Sequence, residues 1–306
     1  MKSAFLSVAL LPLCLCADLR LGIVGTDTSH VTAFTKILND SHAPGARVVA
    51  AWKGGSPDLD QSRDRIEKFT SELQEKWGVR IVPTIEELAR DVDAVLLTSV
   101  DGRVHLAQAR AVIAAHKPLF IDKPLAATLE DAREIARLAD QAGVPWFSAS
   151  SLRFSRASEL RRPDLEGAAT WGPGPLEPHH PLDLSWYAIH PVEMLYAILG
   201  PGCEEVTRMY TPDADVITGR WKDGRLGTVR ALRPYGKYGA VAFGRDQKVE
   251  VLTDVNDGYV ALVREIVRFF ETRRPPVPNS ETLEIFAFLD AAQRSKEAGG
   301  KPMRLK

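Results

Sequence analysis

Short apolar runs alternate with amphipathic stretches of helical length between Leu19 and Ser150. This alternation predicts βαβ units, in which parallel strands form one sheet and the connecting helices cover both of its faces. We expect strands at Leu19–Val24, Arg47–Trp52, Val79–Val82, Ala94–Thr98, Pro118–Ile121 and Pro145–Ser148. Helical patterns lie near 29–39, 60–76, 103–115 and 128–142. The fold class is therefore α/β, with a doubly wound parallel sheet that binds ligands at the carboxyl ends of its strands.

The pattern changes after Ser150, where glycine, proline and short β-rich runs replace the regular alternation. Residues 171–184 are predicted to form a loop because proline and glycine are frequent there. Short runs between Val206 and Asp254 are separated by turns, which indicates antiparallel hairpins. Further helices are expected at 185–200, 258–273 and 280–298. The second half is thus predicted to be an α+β domain with an open, mostly antiparallel sheet.

The amino-terminal residues have the layout of a secretory signal peptide, with one lysine, an apolar run and small residues before a cleavage point after Ala17. This predicts export to the periplasm or the extracellular space. The alternative is a misassigned start site, in which case the protein is cytoplasmic. We expect three parts: a signal peptide at 1–17, a first domain at 18–150 and a second domain at 151–306.

The composition, with 45% hydrophobic and 26% charged residues, is that of an ordinary globular protein. The net charge of −1 gives a nucleic-acid or membrane-surface partner no electrostatic support. After signal cleavage Cys203 is the only cysteine, so no intrachain disulfide is expected. The histidines and acids show no spacing typical of a metal site, and we expect none.

The turn after the first strand, "GIVGTDTSHV", begins like a dinucleotide-binding fingerprint but keeps only its first glycine, Gly25. Asp27 and His30 replace the second and third glycines. We expect Asp27 to cap the following helix, with Thr28 as the alternative. Thr26, Thr28 and Ser29 are then available to donate hydrogen bonds to a phosphate at the helix amino terminus.

Two further stretches carry candidate catalytic side chains. Lys123, in "FIDKPLA", follows a buried strand at the expected ligand-binding edge, where burial would lower the pKa of its ammonium. Tyr187 and His190, in "SWYAIHPVEML", are three residues apart and are predicted to share one helix face. The alternative is that Lys123 is a surface lysine and His190 a core histidine.

Together these segments resemble the glucose–fructose oxidoreductase/inositol dehydrogenase (Gfo/Idh/MocA) family. The resemblance rests on "LRLGIVG", "TSVDGRVHLAQARAVIAAHKPLFIDKPLA", "WYAIHPVEMLYAILG" and the carboxyl-terminal "SETLEIFAFLDAAQRSKEAGGKPMRL". It implies a Rossmann-like first domain that binds NAD or NADP, and a second domain that binds substrate and forms homo-oligomer contacts through an open sheet face. Lys123 matches the family's catalytic lysine, and His190 matches its helical histidine. The family's acid four residues before that histidine is Trp186 here, so Tyr187 is considered as a substitute proton donor.

The predicted cofactor site extends this resemblance along the strand ends. Thr98, His105 and Asp122 are expected beside the cofactor. The acid that normally follows the second strand of NAD-binding folds is missing. Lys53 and Ser56 occupy that region and are suited to a 2′-phosphate, which slightly favours NADP over NAD.

These observations predict an NAD(P)-dependent oxidoreductase that transfers hydride to or from a sugar, cyclitol or related polyol. The alternative is an exported sugar-binding or regulatory protein on a degenerate oxidoreductase scaffold, with weak or no cofactor binding. The altered fingerprint favours the alternative, whereas the retained Lys123, His105 and His190 favour the enzyme.

Overall fold

A computed structural model describes residues 18–40, 45–234 and 236–306. The predicted signal peptide lies outside the described residues and stays a prediction. No helix in the described part of the chain is long and apolar enough to span a membrane.

The first sheet is parallel throughout its six strands as the structure describes them. They are β1 (Leu19–Val24), β2 (Ala46–Trp52), β3 (Arg80–Val82), β4 (Ala94–Leu97), β5 (Leu119–Asp122) and β6 (Trp146–Ala149). The accompanying helices are α1 (Ser29–Asn39), α2 (Asp60–Arg63), α3 (Ile66–Trp77), α4 (Ile85–Asp91), α5 (His105–Ala114) and α6 (Leu129–Ala142). The order β3-β2-β1-β4-β5-β6 reverses between β1 and β4, where doubly wound folds bind their ligands. The predicted doubly wound parallel sheet is confirmed.

The second sheet is mixed, in the order β12-β11-β7-β10-β9-β8-β13. Its strands are β7 (Leu165–Pro173), β8 (Cys203–Tyr210), β9 (Ala214–Trp221), β10 (Leu226–Leu232), β11 (Gly239–Gly244), β12 (Val249–Thr253) and β13 (Met303–Arg304). The helices of this half are α7 (Ile189–Leu199), α8 (Val260–Thr272) and α9 (Asn279–Glu297). Strands β7 and β10 pair in parallel and the other described pairs are antiparallel. The expectation of a mostly antiparallel sheet is therefore confirmed.

The two halves of the chain share hydrophobic contacts. Helix α8 returns to the first sheet, where Phe269 packs edge-on against Phe147 of β6 at a centroid distance of 4.9 Å. Phe120 of β5 and Phe34 of α1 belong to the same cluster. Helix α7 is buried along its whole length and covers one face of the second sheet. The carboxyl-terminal helix α8 therefore packs against the first sheet, while α7 packs against the second sheet.

Three predicted elements differ from the observed ones. The helix expected at 60–76 is interrupted at residues 64 and 65, which separate α2 from α3. The helix expected at 185–200 begins only at Ile189, so that Pro191 falls in its first turn, where a missing N–H does no harm. The loop expected at 171–184 begins after β7, a strand that sequence reasoning missed.

Candidate active site

The β1–α1 turn is built on Gly25, which has a φ of +89°. A Cβ at this position would lie 2.1 Å from the Ser99 Oγ and 2.6 Å from the Ser99 backbone. Glycine is therefore required because the chain after β4 passes directly against the turn. Gly54, after β2, approaches the same turn, since its Cβ would lie 3.4 Å from the Gly25 Cα. The turn is thus enclosed by backbone from both neighbouring strands.

Asp27 does not cap helix α1, so that expectation was wrong. The cap is Thr28, whose hydroxyl accepts a hydrogen bond from the His30 N–H. The Asp27 carboxylate is fully buried and accepts hydrogen bonds from the Val100 N–H at 2.9 Å and the Ser62 hydroxyl at 2.6 Å. Burial raises the pKa of Asp27. This side chain ties the turn to the segments that follow β4 and β2, and it faces the protein interior.

His30 pairs with the acid beside the candidate catalytic lysine, a contact that sequence reasoning missed. Its Nδ1 lies 2.5 Å from the Asp122 Oδ2, and its ring packs on Phe34 and Tyr259 at centroid distances of 5.5 Å and 4.8 Å. Burial alone would raise the pKa of Asp122, but His30 and the charge of Lys123 outweigh it and lower that pKa. Asp122 is therefore ionised, and His30 Nδ1 donates to it.

Lys123 follows Asp122 at the carboxyl end of β5, and its backbone N–H donates to the Asp122 Oδ1 at 2.9 Å. The ammonium lies 5.6 Å from the centre of the Tyr187 ring, within cation–π range. Burial lowers the pKa of Lys123, while the Asp122 charge opposes the shift. The site thus holds a lysine that gives up its proton more readily than a solvated one.

His190 contacts both Tyr187 and Tyr238, with ring centroids 5.7 Å and 5.8 Å away. Its Nδ1 lies 2.6 Å from the Ser150 Oγ. Burial, with a smaller effect from the nearby Lys123, lowers the pKa of His190 well below its usual value. Tyr187 precedes α7 rather than sharing a face of it, yet the structure brings Lys123, Tyr187 and His190 together. Their catalytic roles stay predictions.

Three predicted cofactor residues turn their side chains into the protein. The Thr26 hydroxyl lies 2.6 Å from the Thr70 hydroxyl, and the Thr98 hydroxyl donates to the Gly25 carbonyl at 2.8 Å. His105 places Nε2 2.8 Å from the Ser99 carbonyl oxygen, and burial lowers its pKa. These side chains support the turn and the β4 end, and they do not face outward. Ser29, by contrast, is exposed at the start of α1.

The residues after β2 are partly engaged with other side chains. Lys53 forms an ion pair with Glu67 in which the lysine side chain is 38% and the glutamate 77% exposed. Ser56 is buried, and its N–H donates to the Ser62 hydroxyl at 2.8 Å. Lys53 therefore stays accessible to an anion, whereas the Ser56 side chain does not face solvent.

A buried polar network closes the edge between β2 and β4. Asp101 is fully buried and accepts from the Arg103 guanidinium at 2.7 Å and from the His180 Nε2 at 3.1 Å. Arg103 also donates to Asp58, with its Nη1 2.8 Å from the Asp58 Oδ2, which joins the segment after β2 to the network. The network connects the loops after β2 and β4 to the loop before α7.

An apolar cluster adjoins this network. Leu59 packs with Val100 and Trp186, and Tyr187 lies against them. The loop after β2 is therefore anchored over the strand ends by an apolar contact. This side of the edge is filled by the protein's own side chains.

Among the described residues no group of three or more histidines, cysteines or acids is arranged to hold a metal ion. Cys203 is buried, and burial raises the pKa of its thiol to about 12. The thiol is therefore protonated at neutral pH, and a thiol is a weaker nucleophile than a thiolate.

Comparison with known proteins identifies the first half of the chain. Residues 19–150 match the family model GFO_IDH_MocA, described as an oxidoreductase family with an NAD-binding Rossmann fold. The first domain belongs to the Gfo/Idh/MocA oxidoreductase family. The resemblance stated from the sequence is thereby confirmed, and so is the Rossmann-like fold.

Curated relatives match part of this chain. Inositol 2-dehydrogenase from Cereibacter sphaeroides is 37% identical over 120 residues, which are 38% of this chain and 31% of that protein. 1,5-Anhydro-D-fructose reductase from Ensifer adhaerens is 41% identical over 146 residues, 47% of this chain and 39% of that protein. The match thus spans about a third of the length of these relatives.

Similarity of the fold extends over both domains. Myo-inositol dehydrogenase from Lactobacillus casei, solved with NAD(H) and myo-inositol, superposes with a TM-score of 0.74. The superposition covers 95% of this chain and 97% of that one, at 17% sequence identity. At this identity the match establishes the two-domain fold alone.

Proposed function

We propose that this protein is an NAD(P)-dependent oxidoreductase that transfers hydride to or from a carbon of a sugar, cyclitol or related polyol. The proposal rests on the proximity of three side chains at the carboxyl edge of the first sheet. The Tyr187 ring centre lies 5.6 Å from the Lys123 ammonium and 5.7 Å from the centre of the His190 ring. Doubly wound folds bind their ligands at this edge. The names of the curated relatives, an inositol dehydrogenase and an anhydrofructose reductase, support a polyol or sugar substrate.

The β1–α1 turn fits the phosphates of a dinucleotide in its backbone, although not in its fingerprint side chains. Gly25 and Gly54 present no side chain where the two turns meet, and Ser29 is exposed at the amino terminus of α1. First-turn N–H groups of a helix attract anions because they lack intrahelical partners. Gly25, Thr28 and Ser29 would hold the phosphates, and the nicotinamide would supply the hydride chemistry.

The chain's own residues would handle the substrate oxygen. Lys123 would hold or take the hydroxyl proton, because its lowered pKa favours the neutral amine more than in a solvated lysine. Tyr187 stands between Lys123 and His190 and would orient the substrate. The buried surroundings exclude water from these groups and strengthen their hydrogen bonds.

Lys123→Ala is the direct test of this proposal. We expect loss of turnover by about a hundredfold or more, because proton transfer by a positioned side chain contributes this much. NAD(P)H binding, followed by fluorescence titration, should be retained. Lys68→Ala, at an exposed lysine of α3, is the control and should keep wild-type turnover. Turnover of the Lys123 variant equal to that of the control would contradict the proposal.

We propose a preference for NADP over NAD, supported by the accessible Lys53 ammonium and the absence of an acid at the end of β2. Lys53→Ala should weaken NADPH binding and leave NADH binding unchanged. Glu67→Gln should strengthen NADPH binding, because it releases Lys53 from its ion pair. Equal effects of both variants on NADH and NADPH would refute a 2′-phosphate contact.

The second candidate is an exported sugar-binding or regulatory protein on a degenerate oxidoreductase scaffold, with weak or no cofactor binding. It is favoured by the buried contacts of Asp27 and His30 at the fingerprint positions and by the packing of Leu59 over the strand ends. Titration of the protein with NADH, NADPH and a polyol distinguishes the two candidate functions. Absence of NADH and NADPH binding, together with binding of a polyol, would support the second candidate.

Homo-oligomer formation and export are part of the same proposal. On the paired strands β11 and β12 the second sheet exposes Phe243, Val249 and Val251, an apolar surface that would suit a second copy of the chain. Light scattering of the purified protein tests the assembly.

Mass spectrometry of the mature amino terminus in native cells tests cleavage after Ala17, and an intact Met1 would refute it.

A further inference from the structure

Ser150 follows β6 at the carboxyl edge and contacts the candidate catalytic histidine. Its side chain is fully buried, with the Oγ 2.6 Å from the His190 Nδ1. The same oxygen accepts a hydrogen bond from the Leu152 N–H at 3.1 Å. The Ser150 N–H donates to the Glu193 Oε1 at 3.2 Å, which fixes the backbone at this point. Ser150 therefore occupies a defined position between helix α7 and the strand end.

The donors and acceptors available to Ser150 and His190 favour one tautomer of His190. A serine hydroxyl has one hydrogen, and a neutral imidazole has one N–H. If Ser150 donates to Nδ1, its buried hydrogen is satisfied and the imidazole hydrogen lies on Nε2. In the opposite arrangement Nδ1–H donates to the Oγ, and the hydroxyl hydrogen finds no other acceptor among the described residues. A buried donor without an acceptor is destabilising, so the first arrangement is preferred.

The surroundings of His190 also favour its neutral form. The imidazole is buried, and the rings of Tyr187 and Tyr238 lie around it at centroid distances of 5.7 Å and 5.8 Å. Burial opposes a second proton on the imidazole, because it penalises the charged form. A neutral His190 with a hydrogen on Nε2 donates a hydrogen bond and cannot accept a proton at that nitrogen.

We propose that Ser150 is a positioning residue that holds His190 as the neutral Nε2–H tautomer, so that His190 donates a hydrogen bond to a substrate oxygen and Lys123 accepts the proton. The assignment of the substrate roles rests on the proposed function. In the proton step the substrate O–H bond breaks, its proton forms a new N–H bond at Lys123, and the neutral amine becomes an ammonium. His190 keeps its hydrogen throughout and stabilises the developing negative charge on the oxygen.

His30 provides an internal comparison, because its ring hydrogen is expected on Nδ1 rather than on Nε2. Its Nδ1 faces the ionised Asp122, which can only accept, so its hydrogen is carried on Nδ1. The two histidines near Lys123 are thus expected to differ at Nδ1: protonated in His30 and unprotonated in His190.

Nuclear magnetic resonance of the ¹⁵N-histidine-labelled full chain, without cofactor or substrate, tests this proposal. Two-bond correlations between ring nitrogens and carbon-bound protons reveal which nitrogen carries the hydrogen. The His190 and His30 signals are assigned by their loss in His190→Gln and His30→Gln. We expect His190 to show Nε2–H with an unprotonated Nδ1 at neutral pH. A protonated Nδ1 in His190 of the wild-type protein would overturn the proposal, whatever the variants do.

Ser150→Ala and Ser150→Thr test the role of the hydroxyl. The alanine variant should show a mixture of His190 tautomers, and the threonine variant should restore the single Nε2–H form. An unchanged His190 tautomer in Ser150→Ala would remove Ser150 from its assigned role. Failure of the oxidoreductase proposal would appear in the cofactor titration instead, because these spectra need no cofactor.

Discussion

The carboxyl of Glu193 is buried on α7, directly behind the Ser150–His190 pair. Its Oε1 accepts from the Ser150 N–H, and its Oε2 lies 3.5 Å from the Arg153 guanidinium. Arg153 is shared with Glu281, to which it is also paired. Burial raises the pKa of Glu193 to about 7, and the charge of Arg153 only partly offsets this. Glu193 therefore changes its ionisation near neutral pH.

This carboxyl makes the stability of the protein dependent on pH. Because its pKa in the folded state lies above the unfolded value of about 4.3, its stabilising contribution is complete at low pH and is lost as the pH rises through 7. Relative to Glu193→Gln, the wild-type free energy of unfolding should fall by about 3 kcal/mol between about pH 5 and pH 8. Urea unfolding across this range measures the difference. Glu166→Gln, at an exposed position of β7, is the control and should run parallel to the wild type.

Individual residues were predictable where chain position alone determines their place. Lys123 lies at the end of a strand, and the strand pattern was sufficient to bring it to the ligand-binding edge. Ser150 and the pairing of His30 with Asp122 were not predictable, because each contact joins segments far apart in the sequence. The prediction that Asp27 caps α1 was wrong for the same reason, because its hydrogen-bond partners Val100 and Ser62 lie in the segments after β4 and β2.

At the scale of elements, regular periodicity predicted the six strands of the first sheet and helices α1, α5 and α6 within a residue or two, whereas the short helix α4 was missed. Strand β7 was missed because it contains Gly167 and Gly172 and ends at Pro173, residues that usually indicate loops. The structure gives the reason for the small residue at Gly167, since a Cβ there would lie 2.4 Å from the Leu226 carbonyl oxygen of the parallel partner strand. Close approach of neighbouring backbones leaves no periodic signal in a sequence.

At the scale of the whole molecule, the Asp101 network joins the two halves. Burial would raise the pKa of Asp101, but the hydrogen bonds from His180 and Arg103 outweigh it and hold that pKa well below its usual range. His180 lies in the loop before α7, and its ring packs edge-on against Trp186 at a centroid distance of 5.0 Å. The ionised carboxylate is therefore a charged link between the strand ends of the first sheet and the loop of the second half.

Asp101→Asn should destabilise the protein by about 3–5 kcal/mol at neutral pH, because it removes the buried carboxylate to which the Arg103 guanidinium and the His180 ring are hydrogen-bonded. The pKa of Asp101 is lower in the folded than in the unfolded state, so its contribution is present above about pH 4 and is lost as the pH falls through the folded value. The difference between variant and wild type should therefore shrink in acid. Asp223→Asn, at a half-exposed carboxyl paired with Arg225, is the control and should cost about 1 kcal/mol or less. Urea unfolding at neutral and acidic pH measures both variants, and equal losses for the two at neutral pH would show that the network does not join the halves energetically.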